Sequence, residues 1–187
     1  MNKIYFITGN DFKFKIAAKA FEDSGFELLQ KSLDTPEIQS EDLSEIASFS
    51  AKWAAGILDH PVFLTDAGCF IEALNGFPGP FIKYINNYLS AQDFLNLMNG
   101  KKNRKVVFKD CLAYCEPDKE PILFFSSGEG EMAIKPGKKG DTPINEIFIP
   151  KGFDCPESEI PREKMVDFWN GNVVNFDSLI EFLKKRK

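Results

Sequence analysis

Ile4, Tyr5, Phe6 and Ile7 form an apolar run that reads as a β-strand, and the apolar positions Ile16, Ala17, Ala20 and Phe21 recur at helical spacing until Gly25 ends the pattern. Residues 26–29 read as a short strand and residues 34–40 as a turn that carries Glu37. A helix capped by Ser44 extends to about residue 57, with Ile46, Phe49, Trp53 and Ala54 on one face. Residues 61–65 make a brief buried strand that delivers Asp66 to its C-terminal end, where ligands bind in an α/β sheet.

After a turn over residues 75–80, the pattern predicts helices over residues 81–89 and 90–99, the second closed by Gly100. Two strands, 105–114 and 121–127, flank Glu116-Pro117-Asp118 as a hairpin. A loop rich in glycine and proline covers residues 136–143, and residues 144–150 are extended. Residues 162–169 carry a weak helical pattern, and Asp177 caps a C-terminal helix with a basic last turn. The sequence shows no repeat, low-complexity tract or linker, which predicts one domain over residues 1–187.

Composition narrows the class. With 187 residues, 43% hydrophobic content and 19 Phe, the chain can bury a substantial core. No apolar run reaches the roughly 18 residues of a membrane span and the N-terminus lacks a signal-peptide pattern, so a cytoplasmic protein without membrane partners is expected. A formal charge of -5 disfavours general attraction to nucleic acid, so local cations must hold any anionic substrate. Basic clusters at Lys101, Lys102, Arg104 and Lys105, and at Lys135, Lys138 and Lys139, read as solvated turns. The four cysteines form no CxxC pair and His60 is the only histidine, which leaves a zinc site or a Cys/His nucleophile poorly supported. Cys111 and Cys115 read as core packing.

The candidate chemistry begins where the first strand ends. Thr8-Gly9-Asn10 turns directly into a helix and puts backbone N–H groups where a phosphate can sit, with Lys13 able to place a cation beside it. The plainer alternative is an ordinary strand-to-helix turn, with Gly9 supplying a permissive φ and Asn10 capping the helix. These residues alone favour the plainer one.

Four segments in order change that balance: Thr8-Gly9-Asn10-x-x-Lys13, Pro36-Glu37-Ile38-Gln39, Thr65-Asp66-Ala67-Gly68, and residues 74–83 ending in Pro78-Gly79-Pro80-Phe81-Ile82-Lys83. Together they resemble the inosine triphosphate pyrophosphatase, or Ham1, family, of which this chain looks like a divergent member. The similarity continues more faintly through residues 124–134, Ile147-Phe148-Ile149-Pro150-x-Gly152-Phe153 and the helical tail. The resemblance implies an α/β fold of the Maf/Ham1 type, a long mixed twisted sheet flanked by helices in two lobes around a central cleft, usually as a homodimer. It implies Mg²⁺-dependent hydrolysis of a nucleoside triphosphate to monophosphate and pyrophosphate, a house-cleaning activity on aberrant purine nucleotides. By position, Lys13 and Lys83 would bind phosphate, Glu37 would help hold the metal, and Asp66 would orient or deprotonate the attacking water and join Glu37 on Mg²⁺. Such roles suit phosphoryl transfer, which is mostly positioning and charge neutralisation.

The second half departs from the family. Ser50 stands where the family carries a phosphate-contacting lysine, and Lys52, about 200° further round the helix, reads as a surface lysine. Asn145 replaces a base-facing carboxylate in the segment Pro143-Ile144-Asn145-Glu146, and an amide donates as well as accepts. Lys164 matches a family lysine, but the Ser-His-Arg triple that follows it falls on Phe168-Trp169-Asn170. Trp169 and Phe168 could stack on a base, with Asn170 bonding to it, or pack inside. The losses bear on base recognition more than on hydrolysis. An alternative from another class is a nucleotide-binding protein of the same fold that has lost efficient turnover. A Maf-type pyrophosphatase fits less well, lacking the Thr-Gly-Asn and Pro-Gly-Pro-Phe-Ile-Lys segments.

Overall fold

Strand β1 (Asn2–Ile7) alternates in burial, with Ile4 and Phe6 in the core and Lys3 exposed, because side chains a strand residue apart face opposite ways. The computed structural model describes residues 2–36 and 38–186. Helix α1 (Asp11–Phe21) carries the chain to β2 (Phe26–Lys31), which pairs with β1 in parallel, as a crossover helix requires. Helix α2 (Leu43–Leu58) then leads to β3 (Val62–Ile71), parallel to β1 on its other side. Next come β4 (Pro78–Gly79), α3 (Ile82–Ile85), α4 (Ala91–Leu97), β5 (Lys105–Cys115), β6 (Ile122–Met132), β7 (Phe148–Pro150), α5 (Arg162–Asn172) and α6 (Asn175–Lys184). The result is a mixed sheet flanked by helices, the fold class the resemblance implied.

The chain divides into two compact units, and the boundary falls within β3, β5, β6 and α5. No linker marks it, which is why the sequence reads as one domain. The first unit comprises Met1–Asp66, Asp110–Ser126 and Val166–Lys187, with strand order β2-β1-β3-β5-β6. Its core is aromatic. Phe63 stacks on Phe6 at 4.6 Å and on Phe21 at 5.6 Å, and Phe176 meets Phe6 and Phe63 edge-on. The second unit comprises Ala67–Lys109 and Ser127–Met165. There β4 pairs antiparallel with β3, β7 pairs antiparallel with β6, and Phe148 lies edge-on to Phe108 at 4.8 Å.

Several boundaries differ from the sequence reading, each for a local reason. The cap of α2 is Asp42, whose Oδ1 accepts from Ser44 N at 2.8 Å, so the helix starts before Ser44. Helix α1 stops at Phe21, ahead of Gly25, and Asp23 already adopts φ 55. Strand β3 does not end at Thr65. It runs on to Ile71 because Gly68 lets the Gly79 backbone of β4 approach, where a Cβ would lie 3.0 Å from Gly79 C and O. Asp66 is therefore a mid-strand residue. The helix expected over residues 81–89 is regular only over Ile82–Ile85. Residues 144–150 begin as a 3-10 turn, Pro143–Glu146, before β7. Asp177 lies inside the first turn of α6, whose N-cap is Val174. The hairpin of β5 and β6 forms as expected, with Asp118 at φ 58 in its turn.

Candidate active site

Asn10 does what a helix-capping asparagine does. Its Oδ1 accepts from Phe12 N at 2.9 Å and Lys13 N at 3.2 Å, while its own N–H donates to Thr8 Oγ1 at 3.1 Å. Gly9 is not in the left-handed region; a Cβ there would lie 3.2 Å from Ser32 Oγ, a tight contact that rotation of the serine hydroxyl can relieve. The cap sets the first turn of α1 so that Lys13 points at β3. Its Nζ donates to Thr65 O at 3.3 Å and to Thr65 Oγ1 at 3.2 Å.

Thr65 is followed on β3 by Asp66, which is half-buried. Strand β5 brings up a second acid, Asp110, whose carboxylate accepts from the Thr65 hydroxyl and, at 2.5 Å, from Nδ2 of Asn175 at the start of α6. Part of the Asp110 residue surface is open, yet burial of the carboxylate pushes its pKa up most. The Lys13 charge and the Asn175 bond pull it down, the Asp66 charge raises it, and the Thr65 bond lowers it, leaving it at about 6. Asn175 is fully buried, and its Oδ1 has no hydrogen-bond partner within the protein. Lys13, Thr65, Asp66, Asp110 and Asn175 thus form one charged network inside the first unit. A cation that can meet phosphate stands there with carboxylates that can take a proton or hold a hard cation.

Sequence reasoning named Lys13 and Asp66 and missed Asp110 and Asn175. A signal for Asp110 existed. Val106, Phe108, Leu112 and Tyr114 share its face of β5, and an acid at the centre of an apolar stripe needs a partner. Asn175 had none, because its partner lies 65 residues away.

The other expected residues are placed as follows. Glu37 lies outside the described residues. Ser50 is buried, and its hydroxyl donates to Pro36 O at 3.4 Å, so it anchors the turn before Glu37. Lys52 is an exposed lysine ion-paired with Glu120. Trp169 belongs to the first unit, half-buried and packed on the core of Phe6, Phe63 and Leu179. Phe168 lies edge-on to it at 4.9 Å, and Asn170 Nδ2 donates to Ile16 O at 3.2 Å. In the second unit, Lys83 is exposed with its Nζ 5.9 Å from the Tyr84 ring centroid, and Lys164 is exposed on α5. Asn145 locks a turn: its Oδ1 accepts from Thr142 N at 3.2 Å and Thr142 Oγ1 at 2.6 Å. Among the described residues no group of three or more His, Cys, Asp or Glu could hold a metal by itself. Cys69, Cys111 and Cys115 are buried free thiols; burial pushes Cys111 up to about 12, so none is a ready nucleophile.

The model of the Ham1 family matches residues 4–167. The dITP/XTP pyrophosphatase of Thermococcus kodakarensis is 40% identical over 162 residues, covering 87% of each chain. That of Methanosarcina mazei is 36% identical over 176 residues, covering 94% of this chain and 96% of the relative. Among solved structures, the Staphylococcus aureus Ham1 protein superposes with a TM-score of 0.79 at 22% identity over the whole of both chains. A Coxiella burnetii HAM1 protein gives 0.79 at 23% identity, covering 99% and 100%. At those identities the structures speak to the fold.

Proposed function

The chain belongs to the Ham1 family, and from that premise we propose that it hydrolyses nucleoside triphosphates to monophosphate and pyrophosphate, with deaminated purine triphosphates such as dITP and XTP as the substrate class. The observation that carries this reading is the tie between Lys13 and Thr65, which holds the ammonium of α1 at the β3 residue that precedes Asp66.

Lys13 is a pure donor, and exchanging a Thr65 bond for a phosphate oxygen lets it hold the chain of phosphates. Asp66 orients the attacking water and takes its proton. The water oxygen bonds to the α-phosphorus as the bond to the bridging oxygen breaks, and pyrophosphate leaves. Asp66 and Glu37 would hold Mg²⁺; the half-buried carboxylate of Asp66 is the hard oxygen donor that ion takes. When bound, the ion neutralises charge on the phosphate oxygens. Thr8, Gly9 and Asn10 shape the turn that presents Lys13.

The phosphate role of Lys83 and the base-contacting roles of Asn145 and Lys164 rest on the family resemblance. So do the homodimer and the cytoplasmic location; among the described residues no helix is long and apolar enough to cross a membrane. Base preference within that class is shifted in this reading, because Asn145 Oδ1 and Asn170 are committed to bonds within the protein. Product analysis after incubation with dITP or XTP tests the proposal. Monophosphate and pyrophosphate are expected; diphosphate and orthophosphate would overturn the assigned point of cleavage.

A further inference from the structure

The donor and acceptor sense of the network around Asp110 is fixed by chemistry. Lys13 Nζ only donates, so Thr65 Oγ1 at 3.2 Å accepts, and the single hydroxyl hydrogen of Thr65 goes to Asp110. The Asp110 carboxylate only accepts, so Asn175 presents Nδ2 to it at 2.5 Å. The chain of bonds therefore begins in α6, crosses β5 and β3, and ends on the Lys13 ammonium of α1. Each joint is held by a regular element rather than a loop.

Two features cost stability and point to a purpose beyond packing. Asp110 is an acid in an otherwise apolar stripe, and Asn175 is a fully buried amide whose Oδ1 has no partner. An apolar pair at these positions would join α6 to β5 without either cost. We propose that Asp110 is a positioning residue: anchored by Asn175, its carboxylate orients the Thr65 hydroxyl and draws the Lys13 ammonium into the geometry that meets the nucleotide phosphate. The proposal rests on the pyrophosphatase reading above and extends it to residues that reading does not use.

Asp110→Asn is a clean probe. The carbonyl oxygen of the introduced amide still accepts from Thr65, and its N–H is received by Asn175 once that residue turns to offer Oδ1, which has no partner in the native protein. The hydrogen bonds survive and only the charge is lost. The test is a double-mutant cycle of wild type, Asp110→Asn, Lys13→Gln and the double variant, with kcat, KM and Tm measured on dITP and XTP. Asp110→Asn should lower kcat roughly tenfold or more, the scale of one charge-assisted hydrogen bond, and raise KM, because the Lys13 ammonium that meets the phosphate is no longer held in place. In the Lys13→Gln background the same substitution should change kcat less than about twofold. Asn175→Ala, which frees the carboxylate, should show the same dependence on Lys13 and carries the test if Asp110→Asn fails to fold.

Wild-type kcat in Asp110→Asn, or an equal loss in both backgrounds, overturns the proposal and leaves Asp110 as a structural tie. Affinity for a non-hydrolysable triphosphate analogue is measured on the same four proteins. A wild type that hydrolyses neither nucleotide removes the functional reading, and coupling or its absence in affinity then decides the role of Asp110.

Discussion

The Lys13 ammonium meets Thr65 twice, at the backbone carbonyl and at the hydroxyl, across 52 residues of sequence. Because Asp66 follows Thr65 on the same strand, this contact ties the cation proposed to bind phosphate to the strand that carries the carboxylate proposed to handle water. Lys13→Met should lower kcat/KM roughly ten- to a hundredfold, the worth of one charged hydrogen bond, with KM for the triphosphate rising. Steady-state kinetics on dITP checks it, and an unchanged KM would separate Lys13 from phosphate binding.

Asp110 makes stability depend on pH in a definite direction. Its pKa rises from 3.8 to about 6 on folding, in a site faced by Lys13 from α1, Thr65 and Asp66 from β3 and Asn175 from α6. Between those values the folded state binds more protons than the unfolded one, so this group's contribution is full below pH 3.8 and is lost as pH rises through 6. Against Asp110→Asn, metal-free wild type should lose on the order of 2 kcal/mol between pH 4 and pH 7, a few degrees in Tm. Parallel melting curves over that range measure the difference directly, and curves that keep a constant gap would contradict it.

How far the sequence foretold this molecule depends on how local each signal is. Strand β1, helix α1 and the hairpin of β5 and β6 rest on neighbouring residues and were legible. The apolar run that predicts β3 ends where Asp66 interrupts it; what keeps the strand extended is β4, a partner whose approach no local pattern announces. Lys13 and Asp66 stand in segments whose order carries meaning, whereas Asn175 acquires its role only when α6 docks against β5. The amides and aromatics after residue 140 illustrate the converse. Asn145, which the resemblance places at the base, has its Oδ1 engaged in a turn, and Trp169, left between a base and the core, packs against the core.

Gly68 is a space requirement rather than a conformational one. A Cβ there would stand 2.7 Å from Phe70 Cε2 and 3.0 Å from the Gly79 backbone. Gly68→Ala should therefore destabilise by about 1–3 kcal/mol, the usual cost of overpacking, because backbone cannot swing aside as a side-chain tip can. Urea denaturation reads this out, and a midpoint equal to wild type would show that β4 yields.

The Asn10 cap should contribute about 1 kcal/mol, since its Oδ1 satisfies two N–H groups of α1. Asn10→Ala should lower Tm by a few degrees and raise KM, because the first turn that carries Lys13 frays. Asn10→Ser, which keeps an acceptor, should recover most of both; a variant that restores Tm while KM stays high would place Asn10 on the substrate itself.

In the function proposed above, one carboxylate on β3, that of Asp66, does the water chemistry of an NTP pyrophosphatase. The most direct test is pyrophosphate release from dITP and XTP by wild type and Asp66→Asn, each with Mg²⁺ and with chelator, alongside melting curves. Release by wild type that needs Mg²⁺, and falls by roughly 10²–10⁴ in Asp66→Asn at unchanged Tm, is the predicted result. Equal turnover by the two proteins would contradict it.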